Sequence, residues 1–566
     1  MPFKSIPYVS TPESGPPPTG FFGAVCRWVP AIDSLRSYTW SSFGRDLTAG
    51  ITVATVAVPQ AMAYALLAGL PPEYGLYTAI VMTAVGALLD SSRLLINGPT
   101  NAISIALLSA LVMMPESERV PAAVLMAFMV GAVQIGIAFL RLGDLTRYVS
   151  HSVIVGFTFG AGSLIVLSQA QHILGQPTLG KPSDHFLRRF WLSLTGSPIH
   201  WPTLAVGLGT VLLVLLVREG NRLTRKRGFR FPIPQHLVAV ILMAAAVWAF
   251  QLDQEGVKIV GTLPASLPAF RLPTLDWEQV RLQAGNAFAI ALLGLLEALA
   301  MAKAIAARTR QKLDVNQQCL SEGAANFAGS FFQCFPGSGS LTRSAVNQQA
   351  RAVSQWSGVF AAIAVAITVL FFAPLARYIP RASLAGLLIL AAYRMIDRGQ
   401  LMFHLRATRF DAGVVIATAL AALLISIEFC IVIGVFLSFV LYVPRAAKVE
   451  LTRLTPPEGT GANDGEAVAF GLEGELFFGA GAELEKHFAA MEQGVHENVR
   501  VVVLALHRGR NPDATILTLL KSFEDALRAR GISLILCGVD PGSEMMKALV
   551  ATGLDSNVRS DIAPKS

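Results

Sequence analysis

Two short stretches of this sequence place proline, glycine, hydroxyl and amide residues in apolar surroundings. The first is LLINGPTNAISIALL at 94–108, and the second is FPGSGSLTRSAVNQQAR at 335–351. In each, glycine or proline immediately precedes hydroxyl or amide residues, and a short helical segment follows. A helix that begins inside a membrane directs free N–H groups and a partial positive charge at one point, which suits an anion.

Arg343 lies three residues after Ser340 in the second stretch. An arginine within the hydrocarbon region is costly and persists where it faces a cavity, water or the protein interior. We therefore expect Arg343 either to contribute to the field of an anion site or to cap the cavity on its cytoplasmic side. For one such stretch a kink or a loop is the simpler interpretation, but the occurrence of two favours a shared site.

Glu297, within LLGLLEALAMA, is the other intramembrane ionisable residue of the second half. A carboxyl group in a dry site can hold a proton, and a neighbouring anion would strengthen that binding, so this residue type favours proton coupling. The alternative is a structural counterion for Arg343 or Lys303. The sequence leaves both interpretations open.

The composition requires elements that cross a membrane to position these residues. Of 566 residues, 53% are hydrophobic and 14% charged, and the mean hydropathy of +0.55 excludes an ordinary soluble enzyme. Apolar runs predict membrane segments at 47–68, 121–140, 152–170, 202–217, 236–251, 285–305, 357–374, 383–393, 411–428 and 430–443, with shorter ones at 76–89, 100–114, 322–333 and 341–350. This predicts about fourteen segments. If they divide seven plus seven, each Gly/Pro stretch falls in the third segment of its half, as in transporters built from inverted repeats.

Basic residues accumulate after even-numbered segments, at 141–147, 218–230, 308–312 and 394–409. The positive-inside rule therefore predicts that both termini are cytoplasmic. The net charge of +8 is explained by this topology and by contact with anionic lipid, and it does not indicate a nucleic-acid surface. No secretory signal peptide is expected within residues 1–45.

Other site chemistries have little support in the sequence. The five cysteines show no metal-ligand spacing, and the nine histidines form no HxxxH pattern. GSGSLT lacks the lysine of a phosphate-binding loop. We therefore expect no metal, no cofactor and no enzymatic activity.

The C-terminal part changes to the composition of a soluble domain. Strands are predicted at 467–478, 499–507 and 532–539, and helices at 480–493, 514–530 and 543–552, which is the alternation of a small α/β module. The predicted domains are a cytoplasmic N-terminal segment (1–45), a transmembrane transport domain (46–448), a linker (449–465) and this module (466–566).

VPQAMAYALLAGLPPEYGLY at 58–77 closely resembles the signature of the SulP family of sulfate permeases and related anion exchangers, and GSLTRSAVNQQA resembles the family's tenth-helix motif. The resemblance covers residues 46–566. It implies fourteen transmembrane segments in two intertwined inverted repeats, divided into core and gate domains. Substrate would lie between the third and tenth helices, faced by the first and eighth. It also implies a cytoplasmic STAS domain and, commonly, a homodimer.

Carried over by this resemblance, the substrate-binding residues are Gln60 and Tyr64 on the first helix, Thr100, Asn101 and Ala102 on the third, and Ser340, Leu341, Thr342 and Arg343 on the tenth. Amide and hydroxyl donors can replace the water around an oxyanion, and an aromatic ring can limit access. For Gln60 and Tyr64 alone, packing beneath Pro59 is the alternative.

The predicted function is secondary active transport of a small anion, with proton-coupled sulfate uptake favoured. Bicarbonate or a C4-dicarboxylate is the alternative substrate, and a passive channel, an exchanger or an area-responsive motor is the alternative mode. Sodium-coupled relatives have an aspartate at the position of Glu297 and a threonine one turn later, where this chain has Met301. A proton is therefore the expected coupling ion, in a multi-pass protein of the cell (inner) membrane.

The resemblance also implies a phosphorylation turn, DSSG, in the C-terminal module. This chain has Asp513, Ala514, Thr515 and Ile516 there. Because the acceptor serine is missing, no phosphorylation switch is expected at that position.

Overall fold

The computed structural model describes residues 26, 28–143, 150–177, 179, 184, 186–226, 233–456, 466–494, 498–510 and 512–559. Contacts divide the chain into two compact units, Met1–Val435 and Phe436–Ser566. Residues 1–25 of the predicted N-terminal segment and 457–465 of the predicted linker lie outside the described residues.

Fourteen helices in the described ranges correspond to the predicted membrane segments. They are α1 (Trp40–Leu67), α2 (Pro72–Leu89), α3 (Asn101–Leu111), α4 (Glu116–Phe139), α5 (His151–Leu174), α6 (Trp201–Lys226), α7 (Gln235–Ala249), α8 (Trp277–Thr309), α9 (Val315–Ser330), α10 (Leu341–Gln349), α11 (Trp356–Phe372), α12 (Arg381–Met395), α13 (Arg409–Leu424) and α14 (Ile427–Ala446). Seven of them, α1, α2, α4, α5, α6, α8 and α11, are long and apolar enough to cross a membrane alone.

The polar starts of some helices precede the apolar runs that predicted them. Helix α9 begins at Val315, whereas the apolar run begins at 322, because its first turns are polar and Asp314 caps them by accepting a hydrogen bond from the Gln317 N–H (3.0 Å). Two further helices, Phe186–Gly196 and Arg398–Ala407, were not predicted, since charged residues interrupt their hydropathy.

Helices α3 and α10 are the short ones on which the site depends, and both begin after a two-residue strand. Strand β1 (Asn97–Gly98) pairs antiparallel with β2 (Ser338–Gly339). Thr100 and Ser340 are the N-caps of the two helices, and each side chain accepts a hydrogen bond from the first turn that follows. The paired strands bring the two helix N-termini together.

The longer helices pack around this crossing. Helix α4 lies against α9, α5 against α13, and α1 against α11. Gly131 permits the close approach of α4 to α9, because a methyl group there would clash with the backbone nitrogen of Phe327. This close packing gives α3 and α10 a rigid frame.

The C-terminal unit contains a four-stranded sheet in the order β3–β4–β5–β6. The strands are β3 (Glu450–Leu454), β4 (Ala467–Glu475), β5 (Val501–Arg510) and β6 (Ser533–Cys537), and the helices are α15 (Gly481–Gly494), α16 (Ala514–Ala529) and α17 (Glu544–Thr552). Strand β3 is antiparallel to β4, while β4, β5 and β6 run parallel. Leu484, Leu504 and Leu527 are fully buried in its core.

Strand β3 corrects the predicted linker. Residues 450–454 fall inside the segment 449–465, yet they pair in register with β4, with Leu451 opposite Leu472. A linker is predicted at 449–465 because the sequence that follows β3 is rich in proline and glycine. Three of the five residues of β3 are exposed and two are half-buried, and β3 lies at the edge of the sheet.

Candidate anion-binding cavity

The N-termini of α3 and α10 meet at the β1–β2 crossing. Gly98 lies opposite Ser338, and the Ser340 N–H donates to the Ile96 carbonyl (2.9 Å). Gly98 has φ of +138°, a conformation that glycine alone adopts without strain. The crossing therefore aims two helix starts at one region, which favours negative charge there.

A cavity of about 290 Å³ opens beside these helix starts. Of the predicted site residues, seven line it: Tyr64, Thr100, Asn101, Glu297, Ser340, Leu341 and Thr342. The remainder of the wall is largely apolar and includes residues of α5, α8 and α12. Such a wall with few polar groups is typical of a small-ligand site.

Three predicted site residues do not line the cavity. Gln60 and Ala102 are buried in the interior (4% and 1% exposed). Helix α1 instead presents Tyr64, one turn later, and the start of α3 presents Thr100 and Asn101. Arg343 is 1% exposed and also lies off the cavity wall.

Arg343 connects the two helix starts from within the protein. Its Nη2 donates to the Pro99 carbonyl (2.9 Å), and its Nη1 lies so close to Gly98 that a methyl group there would be 2.7 Å away. Its Nε has no hydrogen-bond partner. Arg343 thus places a positive charge near the start of α3 and holds the preceding backbone in place, without a surface on the cavity.

Glu297 reaches the cavity from α8 and is joined to the start of α3. The Thr100 hydroxyl donates to its Oε2 (2.9 Å). No ion pair joins Glu297 to either predicted cation within the described chain, and Lys303 is exposed. Within the described chain, Glu297 therefore makes no direct ion pair with Arg343 or Lys303.

The other end of the cavity is polar and was not predicted as part of the site. His151, Arg394, Asp397 and Gln400 line it. Nδ1 of His151 lies 3.0 Å from Nε2 of His404, with the two rings stacked. The sequence places Arg394 in a basic loop, and Asp397 caps the helix Arg398–Ala407. Neither their spacing nor their hydropathy indicates that these two residues face the same cavity as His151.

Two parts of this chain match known protein families. Residues 43–418 match the sulfate permease family, and residues 462–565 match the STAS domain. The chain belongs to the sulfate permease family. It is a membrane transport protein and not an enzyme, which confirms both expectations.

Relatives in the family are described as sulfate transporters. Probable sulfate transporter 4.2 of Arabidopsis thaliana is 30% identical over 94% of this chain and 81% of its own length. Putative sulfate transporter YvdB of Bacillus subtilis is 28% identical over 92% and 95%. The alignment to chloroplastic sulfate transporter 4.1 of Arabidopsis thaliana, 32% identical, covers 76% of this chain and spans 63% of that protein.

Solved structures of other transport proteins share this fold. The overall structure of SLC26A9 superposes with a TM-score of 0.86 at 21% identity, covering 95% of this chain and 92% of that one. The transmembrane domain of a cyanobacterial bicarbonate transporter, BicA, superposes at 0.60 and 24% identity, covering 71% and 98%. The predicted fold is thereby confirmed: fourteen helices in two inverted repeats of seven, followed by a STAS domain.

Proposed function

We propose that this chain takes up sulfate by symport with a proton, that sulfate binds where α3 and α10 begin, and that Glu297 carries the proton. The observation that supports this most directly is the hydrogen bond from Thr100 to Glu297. Thr100 caps α3, and both residues line one cavity. An anion at the helix start and a proton on the carboxyl group would therefore sense each other's charge over a few ångströms.

The donors around the cavity suit an oxyanion. Thr100, Ser340 and Thr342 supply hydroxyl groups and Asn101 an amide, beside the free N–H groups of two helix starts. Arg343 adds a full positive charge behind that surface. Sulfate is the substrate in the names of the relatives, and a tetrahedral dianion uses many such donors at once.

The coupling ion we propose is a proton, because the surroundings of Glu297 offer little to sodium. Met301, one turn after Glu297, also lines the cavity, and its thioether is a poor ligand for a hard cation. A protonated Glu297 would need no further oxygen ligands and, being neutral, would not repel the bound anion.

We further propose a homodimer in the cell membrane with both termini in the cytoplasm. Basic residues follow the even-numbered helices α4, α6, α8 and α12, as the positive-inside rule requires for this orientation. The predicted domain boundaries at 45 and 448 are part of the same proposal.

Reconstituted vesicles test the symport. An inward proton gradient should drive accumulation of radiolabelled sulfate, and a sodium gradient should not replace it. Glu297→Gln resembles the protonated side chain, so this variant should still bind and exchange sulfate but lose accumulation driven by the gradient. Glu118→Gln, at an exposed residue of α4, is the matched control and should accumulate sulfate normally. A Glu297→Gln protein that still concentrates sulfate would refute the role of Glu297.

The second candidate substrate is bicarbonate, which the fold shared with BicA supports. A binding panel of sulfate, bicarbonate and succinate on purified protein distinguishes these substrates. Counterflow into vesicles distinguishes coupled transport and exchange from a passive channel, because a channel dissipates the gradient of unlabelled anion without concentrating label.

A further inference from the structure

Two carboxyl groups are buried close together outside the anion cavity. Asp90 follows the last residue of α2, and Glu322 lies in the second turn of α9. Both are fully buried, and neither lines the cavity. No ion pair reaches either one within the part of the chain that the structure describes. Two adjacent charges without a cation would be strongly unfavourable in such a dry place.

Hydrogen-bond donors are divided unequally between the two groups. Asp90 accepts from the Asn97 Nδ2 (3.1 Å), the Gln318 Nε2 (2.6 Å) and the Ser321 hydroxyl (2.6 Å). Glu322 accepts one long bond at Oε1, from the same Gln318 nitrogen (3.4 Å), and its Oε2 has no partner. Three donors stabilise an ionised Asp90, while the surroundings of Glu322 suit a neutral acid.

The cluster contains more acceptors than donors. The oxygens Glu322 Oε2, Asn97 Oδ1 and Gln355 Oε1 are buried without a donor, and Gln355 belongs to the cluster because its Nε2 donates to the Asp90 carbonyl (3.3 Å). A metal ion shared by the two carboxylates fits this arrangement poorly. The Gln318 nitrogen contacts both, and Asn97 directs its NH₂ group at Asp90, so its own oxygen is turned away.

We propose that Glu322 holds a proton while Asp90 is ionised, so that the pair carries one negative charge. This proton-binding site is separate from Glu297 and from the anion cavity, and it does not rest on the proposed transport reaction. Because Asn97 bonds Asp90 and also forms β1, the charge of the pair acts on the crossing that orients α3 and α10.

Among the described residues, the charged groups that act on Glu322 are two further carboxyl groups, Asp90, which follows α2, and Glu297 of α8, and neither offsets a second negative charge. The group that α4 contributes nearby is neutral: Gln134 accepts a hydrogen bond from the Asn326 Nδ2 (3.0 Å), which also donates to the backbone carbonyl of Glu322 (3.1 Å). A proton on Glu322 therefore keeps the Asp90–Glu322 pair at one negative charge.

Paired amide substitutions in the purified full-length protein test which group is protonated. Glu322→Gln has the shape of the protonated acid, so its apparent Tm at neutral pH should stay within about 2 °C of the wild type. Asp90→Asn removes the negative charge that these donors stabilise and puts an NH₂ group at the Oδ2 position, where the Asn97 Nδ2 already donates (3.2 Å), so it should lower Tm by about 5 °C or more. The opposite order would place the proton on Asp90 and overturn the assignment. An equal loss in both variants, with a wild-type Tm that rises in sodium chloride over choline chloride, would identify a bound cation and also overturn it.

Infrared spectroscopy detects the proton itself. The wild-type minus Glu322→Gln difference spectrum at neutral pH should contain the C=O band of a carboxylic acid. The wild-type minus Glu118→Gln spectrum, at an exposed residue of α4, is the matched control and should lack that band. If the Glu322 difference contains carboxylate bands alone, Glu322 is ionised and the proposal fails. The reading is specific to residue 322 and is independent of whether Glu297 couples proton to sulfate.

Discussion

Thr100 joins two functions through one hydroxyl group. Its oxygen accepts a hydrogen bond from the Ile103 N–H (3.5 Å) as the N-cap of α3, and it donates to Glu297 Oε2 (2.9 Å). Because a hydroxyl can do both at once, the residue that fixes the start of the helix also orients the carboxyl group. Loss of the hydroxyl should therefore disturb anion binding and proton binding together.

Valine and serine at position 100 test the role of the hydroxyl group. Thr100→Val has nearly the same shape but lacks the hydroxyl, and we expect sulfate affinity to fall about tenfold or more, since a hydrogen bond to a charged group is worth about 1.5–3 kcal/mol. Thr100→Ser keeps both bonds and should bind within about threefold of the wild type. Equilibrium binding of sulfate to detergent-purified protein measures the difference, and equal affinities of the two variants would contradict the role given to the hydroxyl.

Single residues were predictable from the sequence where local chemistry decides their place. Thr100 and Ser340 could be predicted as caps because glycine or proline precedes each and a helix follows. The direction of Arg343 could not, since its guanidinium bonds a carbonyl 244 residues away and the β1–β2 pairing decides which way it points. The carboxyl pair Asp90–Glu322 was missed for the same reason: its two residues are 232 positions apart along the chain.

At the scale of elements, the crossing of β1 and β2 is what makes two helix starts into one site. It depends on Gly98, where φ is +138° and Arg343 leaves no room for a Cβ atom. An alanine there would be strained in its backbone and would press on the guanidinium.

Gly98→Ala should consequently impair the site more than an average glycine substitution. We expect sulfate affinity to fall at least about tenfold, the effect of losing about 1.4 kcal/mol of binding free energy, with a lower apparent Tm. Gly136→Ala is the matched control, because no atom lies within 4 Å of a methyl group there and alanine is the better helix former. Wild-type affinity in a folded Gly98→Ala protein would show that the crossing tolerates a displaced Arg343.

Elements were predicted well where apolar runs or strand patterns are continuous, and poorly where polar residues form part of them. Helix α9 begins with polar residues, and most residues of the edge strand β3 are exposed, so hydropathy predicted neither boundary. The pairing of β3 with β4 is a contact across the segment that was predicted to be a linker, and no local pattern reveals it.

At the scale of the whole molecule, the residues of the cavity all belong to the first unit. The last lining residue along the chain is Ile431, and the sheet of the second unit begins at Glu450. The anion site should therefore form without the STAS domain, whatever that domain contributes to rate or assembly.

Truncation tests this separation, and the place of the cut matters. Deleting 449–566 removes the whole sheet, and the remaining protein should bind sulfate within about threefold of the full chain, because every lining residue is kept. Deleting 455–566 instead leaves β3 without its partner β4, and an unpaired strand edge promotes association between chains. Size-exclusion chromatography should show more aggregate for the longer product, while both products keep the cavity. If the shorter product is folded and inserted in vesicles but no longer binds sulfate, then the site depends on the STAS domain in a way that its lining residues do not reveal.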